Sequence, residues 1–355
     1  MKNNDNTVIE AINDFTSQII IETDKSNKLP EFVISTGAKD SYSMIRQDNI
    51  TNKLARLSSK SGIIPEDFTN RGLIKTSTGS TDLTVIIKEY ANVTLKPSTS
   101  KLLRVLTIKF TEKGNKLIKI PLKEYMELTG LKDEKEARKN IKADLDALYN
   151  LSCEASREDR KGKKDYIAFR VIDAHGIKNG VVFANLTDSI YAHLLTCPIM
   201  PYSNDLLKIP NKLPYAFYLG DKITELMKLN MYDKKTKDIK PYFTASVKNL
   251  LQVCYDNGMP TYEEVQNTDR AVERRIITPF ENSLDAGSNI FDWEYCNEKG
   301  TPLTDAQLKD RTFKDFEARY IKITFKGNYP IAEYDVKKCK QGDNKKAKKE
   351  DKKTA

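Results

Sequence analysis

The chain has 355 residues, of which 39% are apolar and 31% charged, so two or three domains with real cores are expected. Net charge is +9, but the last nineteen residues hold nine lysines against Asp343, Glu350 and Asp351, a net +6, which leaves only +3 for everything before them. No run approaches the roughly eighteen apolar residues of a membrane span. Met1-Lys2-Asn3-Asn4-Asp5 opens without an apolar signal region. Cys153, Cys197, Cys254, Cys296 and Cys339 lie far apart with no CxxC pair, which argues against zinc and fits reduced thiols in a cytoplasm.

Residues 1–80 are rich in Ser, Thr, Asn and Asp and read as a polar, partly disordered N-terminal extension. Val8, Ile9, Ile12, Phe15, Ile19 and Ile20 fit one short amphipathic helix, and the rest up to Gly79 reads as extended or mobile chain. Leu83, Val85 and Ile87 alternate as a strand that joins the sheet of the first folded module.

That module is expected over residues 81–200. Ser98-Thr99-Ser100 suits a helix start, and Leu102, Leu103, Leu106 and Phe110 recur at helical spacing. Pro121 opens a second helix with Leu122, Tyr125, Met126 and Leu128 on its apolar side, and Gly130 ends it. A third helix runs from about Asp133 to Asn150 over a stripe of Ile141, Leu145 and Leu148. Strands follow at 151–155, 166–172 and 181–183, with a turn at 176–180. The loop 157–164 holds five basic residues against two acidic ones around Gly162 and reads as the tip of a hairpin.

Residues 201–212 carry Pro201 and Pro210 and read as a linker. The pattern then repeats over residues 213–330. Phe217, Leu219, Ile223, Leu226 and Met227 fit one helix, and Val247, Leu250, Leu251 and Val253 the next. Val272, Ile276, Phe280 and Leu284 fall every fourth residue in a third, where Pro279 predicts a kink or a restart. Phe291-Asp292-Trp293-Glu294-Tyr295 and 320–325 read as strands around a long polar loop. The lysine tail, 331–355, reads as disordered.

The expected fold class is therefore α+β and helix-rich: two tandem winged-helix domains, each a helix-turn-helix with a β-hairpin. Two such modules in one chain fit a protein that straddles duplex DNA. Candidate DNA contacts are Lys135, Arg138, Lys139 and Lys142 on the first long helix; Arg157, Arg160, Lys161, Lys163 and Lys164 in its basic loop; Arg270, Arg274 and Arg275 on the second long helix; and Lys309 and Arg311 in the second loop. A recognition helix needs such donors to reach base edges, and a basic wing releases counterions from the backbone. Arginine forks read guanine better than lysine does. The competing reading is a solvated helix face, because Asp133, Glu134, Glu136, Asp144 and Asp146 are interspersed, as are Asp269 and Glu273 in the second helix.

Catalytic motifs are missing. His175 and His193 stand alone, with no His-x-His motif, so metal-dependent rolling-circle nucleases are disfavoured and the histidines read as structural. No phosphate loop of the G-x-x-x-x-G-K-[ST] type occurs. The expectation is a non-enzymatic protein without cofactor or metal.

Residues 98–110, the run Arg270-Ala271-Val272-Glu273-Arg274-Arg275-Ile276-Ile277-Thr278-Pro279-Phe280, and the aromatic strand 291–295 resemble the theta-type plasmid replication initiators, the iteron-binding Rep family. The resemblance covers about residues 80–327. It implies binding to repeated origin sequences in double-stranded DNA, mainly by the second module. It further implies a monomer–homodimer equilibrium through the first module, origin melting and recruitment of host replication proteins. The long N-terminus and lysine tail depart from the family pattern. A transcriptional regulator or phage-type repressor on the same fold is the first alternative. A DNA-mobilisation enzyme is the second, and a pair of protein-interaction modules the third.

Overall fold

A computed structural model of the chain describes residues 41–47, 49–56, 64–66, 71–78, 81–88, 95–158, 164–197, 199–230, 240–265, 269–309 and 312–326. The fold is mixed α and β, with helices packed on small antiparallel sheets. Among the described residues no helix is long and apolar enough to cross a membrane. The expected N-terminal helix of Val8 to Ile20 and the lysine tail lie outside the described residues.

The N-terminal part holds β1 (Tyr42–Arg46), α1 (Asn49–Leu54), β2 (Ile64–Glu66), β3 (Arg71–Thr78) and β4 (Thr81–Lys88). The expectation up to Gly79 was extended or mobile chain. β1 and α1 carry regular structure instead because Ile45, Leu54 and Ala55 have a core to enter, and β2 and β3 pair in a sheet with β4.

The first helical unit is α2 (Pro97–Lys113), β5 (Leu117–Pro121), α3 (Leu122–Thr129) and α4 (Glu134–Tyr149). Pro97 stands in the first turn of α2, where its missing N–H costs nothing. The helix is buried on nearly all sides, with Leu102, Val105, Leu106, Ile108 and Phe110 in the core. β5 was not expected. Its Ile118 and Ile120 point inward between exposed neighbours, a strand alternation, and Pro121 is both its last residue and the N-cap of α3. Asp133 caps α4 by accepting from the Glu136 N–H at 2.8 Å. Ile141, Leu145 and Leu148 are buried as the stripe predicts.

Four strands follow: β6 (Leu151–Glu158), β7 (Lys164–Arg170), β8 (Ile172–Lys178) and β9 (Val181–Leu186). They divide between two sheets. β6 and β7 join β2, β3 and β4 in a five-stranded sheet of order β2-β3-β4-β6-β7, so β4 does not enter the sheet of the helical unit as expected. β8 and β9 complete a three-stranded antiparallel sheet of order β5-β9-β8. The turn expected at 176–180 is narrower, because Gly176 is a strand residue facing Phe183. The chain reverses at Asn179-Gly180, both at positive φ, 51° and 73°. Asn-Gly is the sequence that such a two-residue hairpin turn demands. Gly180→Val should therefore cost about 1–2 kcal/mol of stability, because a β-branched residue resists the left-handed region. A lowered denaturant midpoint would record it.

The stretch read as a linker begins beyond α5 (Asp188–Thr196). It contains the end of β10 (Ile199–Ser203), which pairs antiparallel with β1, and α6 (Asn204–Lys208). Tyr202, Leu206, Leu207 and Ile209 are buried, Pro201 stands within β10 opposite Met44, and Pro210 follows α6, so the stretch is folded rather than a loose linker.

The second unit repeats the order: α7 (Ala216–Asn230), β11 (Phe243–Ser246), α8 (Val247–Tyr255), α9 (Tyr262–Val265), α10 (Asp269–Val272), a π turn over Glu273–Ile277, α11 (Thr278–Asp285), β12 (Phe291–Cys296), α12 (Asp305–Leu308), α13 (Phe313–Glu317) and β13 (Tyr320–Phe325). Its sheet is again antiparallel, of order β11-β13-β12. First, third, second is the strand order of both three-stranded sheets. Pro279 explains the π turn. It has no N–H to donate, and its ring would press on the carbonyl four residues back. The turn widens, and the Thr278 N–H reaches Glu273 O. The widening also keeps the stripe straight. In an α-helix each step of four residues drifts by about 40°, and one i→i+5 turn offsets part of that. Val272, Ile276, Phe280 and Leu284 are all buried.

Candidate nucleic-acid interface

α4 presents its basic residues toward solvent along the edge next to β8. Lys135, Lys139 and Lys142 are exposed and Arg138 is half-buried. Their position follows from helix geometry. Arg138 lies about 60° from the direction of Ile141 and Lys142 about 100° from it, so both flank the buried stripe. Arg138 donates through Nε and Nη2 to Glu134 Oε1, at 2.9 and 2.7 Å. That exposed pair contributes only about 0.3–0.5 kcal/mol, so a phosphate can displace Glu134 at little cost. Lys139 and Lys142 have no ion-pair partner among the described residues.

Arg138, Lys139 and Lys142 meet Leu145, His175, Gly176 and Ile177 around a cleft of about 480 Å³ between α4 and β8. From spacing alone His175 reads as structural; the fold places it in the wall of this basic cleft. Its Nε2 lies 3.5 Å from Asp146 Oδ1, and its ring meets Tyr149 edge-on at 5.4 Å. The Arg170 guanidinium lies over the Tyr149 ring, at 5.6 Å. Burial lowers the His175 pKa below its usual 6.5; Asp146 opposes that shift and Lys142 adds to it.

Above about pH 6.5 the imidazole is neutral in both folded and unfolded chain, and it does not affect stability. As pH falls, the unfolded chain takes up the proton more readily, and stability is lost down to the folded pKa. A phosphate in the cleft reverses the preference, so binding takes up a proton. DNA affinity should therefore rise between about pH 7.5 and 5.5 in the wild type and stay flatter in His175→Phe, as fluorescence anisotropy at fixed salt would read.

The basic loop does not belong to the sheet expected of it. It joins β6 to β7 in the five-stranded sheet, with Glu158 opposite Lys164 and Arg157 opposite Asp165. The hairpin belonging to the three-stranded sheet is the next one, β8–β9, and its tip carries the exposed Lys178. β6 and β7 pair with each other and with β4, so the first strand pair after the long helix lies outside the three-stranded sheet. Arg160, Lys161 and Lys163 lie outside the described residues, as do the side chains of Arg157 and Lys164.

In the second unit Arg274 and Arg275 are exposed on the π turn, with no ion-pair partner among the described residues. Glu273 was a possible partner for them; it accepts from Thr278 Oγ1 at 3.4 Å. Arg270 belongs to α10, its side chain outside the description. Wide turns of this kind recur at functional sites. Here the turn leaves both arginines exposed to solvent, while Ile276 enters the core.

The second loop is a folded lobe, not a simple polar tip. Phe313 stacks on Tyr262 at 4.6 Å with an interplanar angle of 3°, and Phe316 is buried. Arg319 donates to Leu308 O at 3.2 Å and lies over the rings of Tyr295 and Phe316. Lys309 is exposed at the end of α12, and Arg311 lies outside the described residues.

No family model matches the chain, and no curated protein matches it. Two solved structures align along most of it. A selenomethionine derivative of domains 2 and 3 of RctB is 11% identical with a TM-score of 0.46, covering 78% of this chain and 99% of that one. A second crystal structure of RctB domains 2-3 is also 11% identical, with a TM-score of 0.38, covering 79% and 98%.

Proposed function

We propose that the chain is a sequence-specific DNA-binding replication initiator of a plasmid or related mobile element, acting through two tandem winged-helix modules and without catalysis of its own. The observation that carries this reading is the repeated topology. Each unit has helix, strand, helix, long helix and two strands in an antiparallel sheet of order first-third-second, with β6 and β7 inserted after the long helix of the first unit, and α9, α12 and α13 inserted in the second. That is the order of a helix-turn-helix with a β-hairpin. In each unit the third helix carries basic side chains that lack an ion-pair partner among the described residues: Lys139 and Lys142 in one, Arg274 and Arg275 in the other. Such donors suit base edges and phosphates. The residues that resemble iteron-binding initiators, Arg270 to Phe280, include this second basic turn, which favours initiation as the purpose of the binding.

In the first unit the hairpin of the three-stranded sheet, β8–β9, takes the place of the basic loop as the wing in this reading. Its turn is short, with Lys178 as its cation, and the cleft beside it supplies the charge. Nuclease footprinting on DNA flanking the coding gene tests the reading. Protection of direct repeats supports an initiator. A single promoter palindrome would replace it with a transcriptional regulator, and uniform protection would end the claim of sequence reading.

A further inference from the structure

A charge sits in the buried face of α2. Arg104 is 2% exposed, and its guanidinium is met from three distant parts of the chain. Nε and Nη2 donate to Asp221 Oδ1 and Oδ2 on α7, at 3.0 and 2.8 Å. Nη1 donates to Gln47 Oε1 at 3.2 Å and Nη2 to Asn52 Oδ1 at 2.9 Å, both from the N-terminal segment. Tyr202 on β10 donates to Asp221 Oδ1 at 3.2 Å, with its ring under the guanidinium at 5.6 Å.

Arg56, just past α1, reaches Asp221 at 3.8 Å and Glu225 at 2.5 Å. Nearby, Lys101 donates to Ile209 O and, at 2.8 Å, to Asn211 Oδ1. β1 pairs with β10 along its whole length, Tyr42 opposite Ser203 through Arg46 opposite Ile199. These contacts join the first unit, the second unit and residues 42–56 to one another.

We propose that residues 42–56 are a strap that locks the two units into one rigid body through Arg104 and Asp221, so that the protein reads the spacing between two DNA half-sites as well as their sequence. The second half of this statement rests on the DNA-binding reading; the lock itself does not. Arg104 on α2 and Asp221 on α7 are both buried, so a partial opening that parts them without admitting water is strongly disfavoured. Two units on a flexible tether would follow half-sites over a range of separations. A locked pair engages both only at one separation, and loses the gain of bivalency elsewhere.

The test uses the full chain with Cys339→Ser and spin labels on the exposed positions of Lys123→Cys and Lys299→Cys. Pulsed electron resonance should give one narrow distance, unchanged on adding a duplex selected by the wild type from a random library. Asp221→Asn should broaden it. Should that variant fail to fold, Asn52→Ala with Arg56→Ala removes strap contacts and leaves the central pair. Inserting about 5 bp between the selected half-sites turns one to the opposite face of the duplex. The wild type should then lose about 100-fold or more in affinity, and the strap variant less than about 10-fold. A broad wild-type distance, or a strap variant as narrow and as intolerant of insertion as the wild type, overturns the lock. Selection that yields no preferred sequence overturns the DNA-reader half, while the distances still decide the lock.

Discussion

Asp221→Ala should lower stability by about 3–5 kcal/mol, the cost of leaving a buried charge without its partner. Both side chains of the Arg104–Asp221 pair are 2% exposed, so solvent screens little of the interaction. Burial works against the arginine's charge, yet Asp221, Tyr202 and Glu225 outweigh it, and the Arg104 pKa is raised above its usual value. Removing Asp221 takes away two charge-assisted hydrogen bonds and the acceptor for Tyr202 at once. Arg104→Met combined with Asp221→Leu fills the space without charge and should be far closer to wild type than either single change. Denaturant unfolding of the two single variants and the pair would show that non-additivity. Equal, small losses in all three would mean that the pair contributes little.

The second large effect concerns DNA. Arg274→Ala and Arg275→Ala should each cost about 1–3 kcal/mol on a preferred duplex and much less on a random one, because an arginine fork on a base edge carries sequence information. Lys139→Gln with Lys142→Gln should weaken binding to every sequence alike. The slope of log affinity against log salt should fall by about 1.8, since each phosphate that a lysine no longer neutralises removes about 0.9. The two sets of variants therefore separate in a titration over salt. Matching losses on preferred and random DNA from both sets would contradict this division of roles.

Helices are legible in the sequence wherever apolar residues recur every three or four positions. The stripe Ile141, Leu145 and Leu148 and the stripe Val272, Ile276, Phe280 and Leu284 both enter the core. Polar residues hidden in such stripes are not legible. Asp144 reads as one of the solvated acids, but it lies on the buried side of α4 and accepts from Ser98 and Thr99 at 3.0 and 2.7 Å. Arg104 sits among Leu102, Val105 and Leu106 in the same way. Their partners are distant in sequence, so no local pattern announces them.

The short strands β5 and β11 escape detection because four or five residues give too few alternations to stand out. The hairpin of the first unit is displaced for a different reason. The charged loop after β6 suggests a wing by composition, but Asn179-Gly180 is the stronger turn signal. As for the candidate site, the cations on α4 and on the π turn are legible by residue type. The cleft that joins the α4 cations to His175 depends on β8 packing against α4, which spacing alone does not encode.

A salt-dependent binding titration comparing DNA flanking the coding gene with a scrambled duplex of equal length decides whether the protein reads sequence. The expected result is a preference of about 100-fold or more that persists at physiological salt, approaching the range of specific over non-specific binding. Equal binding to both duplexes that collapses as salt rises would reduce the interaction to charge alone, and would contradict the reading of sequence.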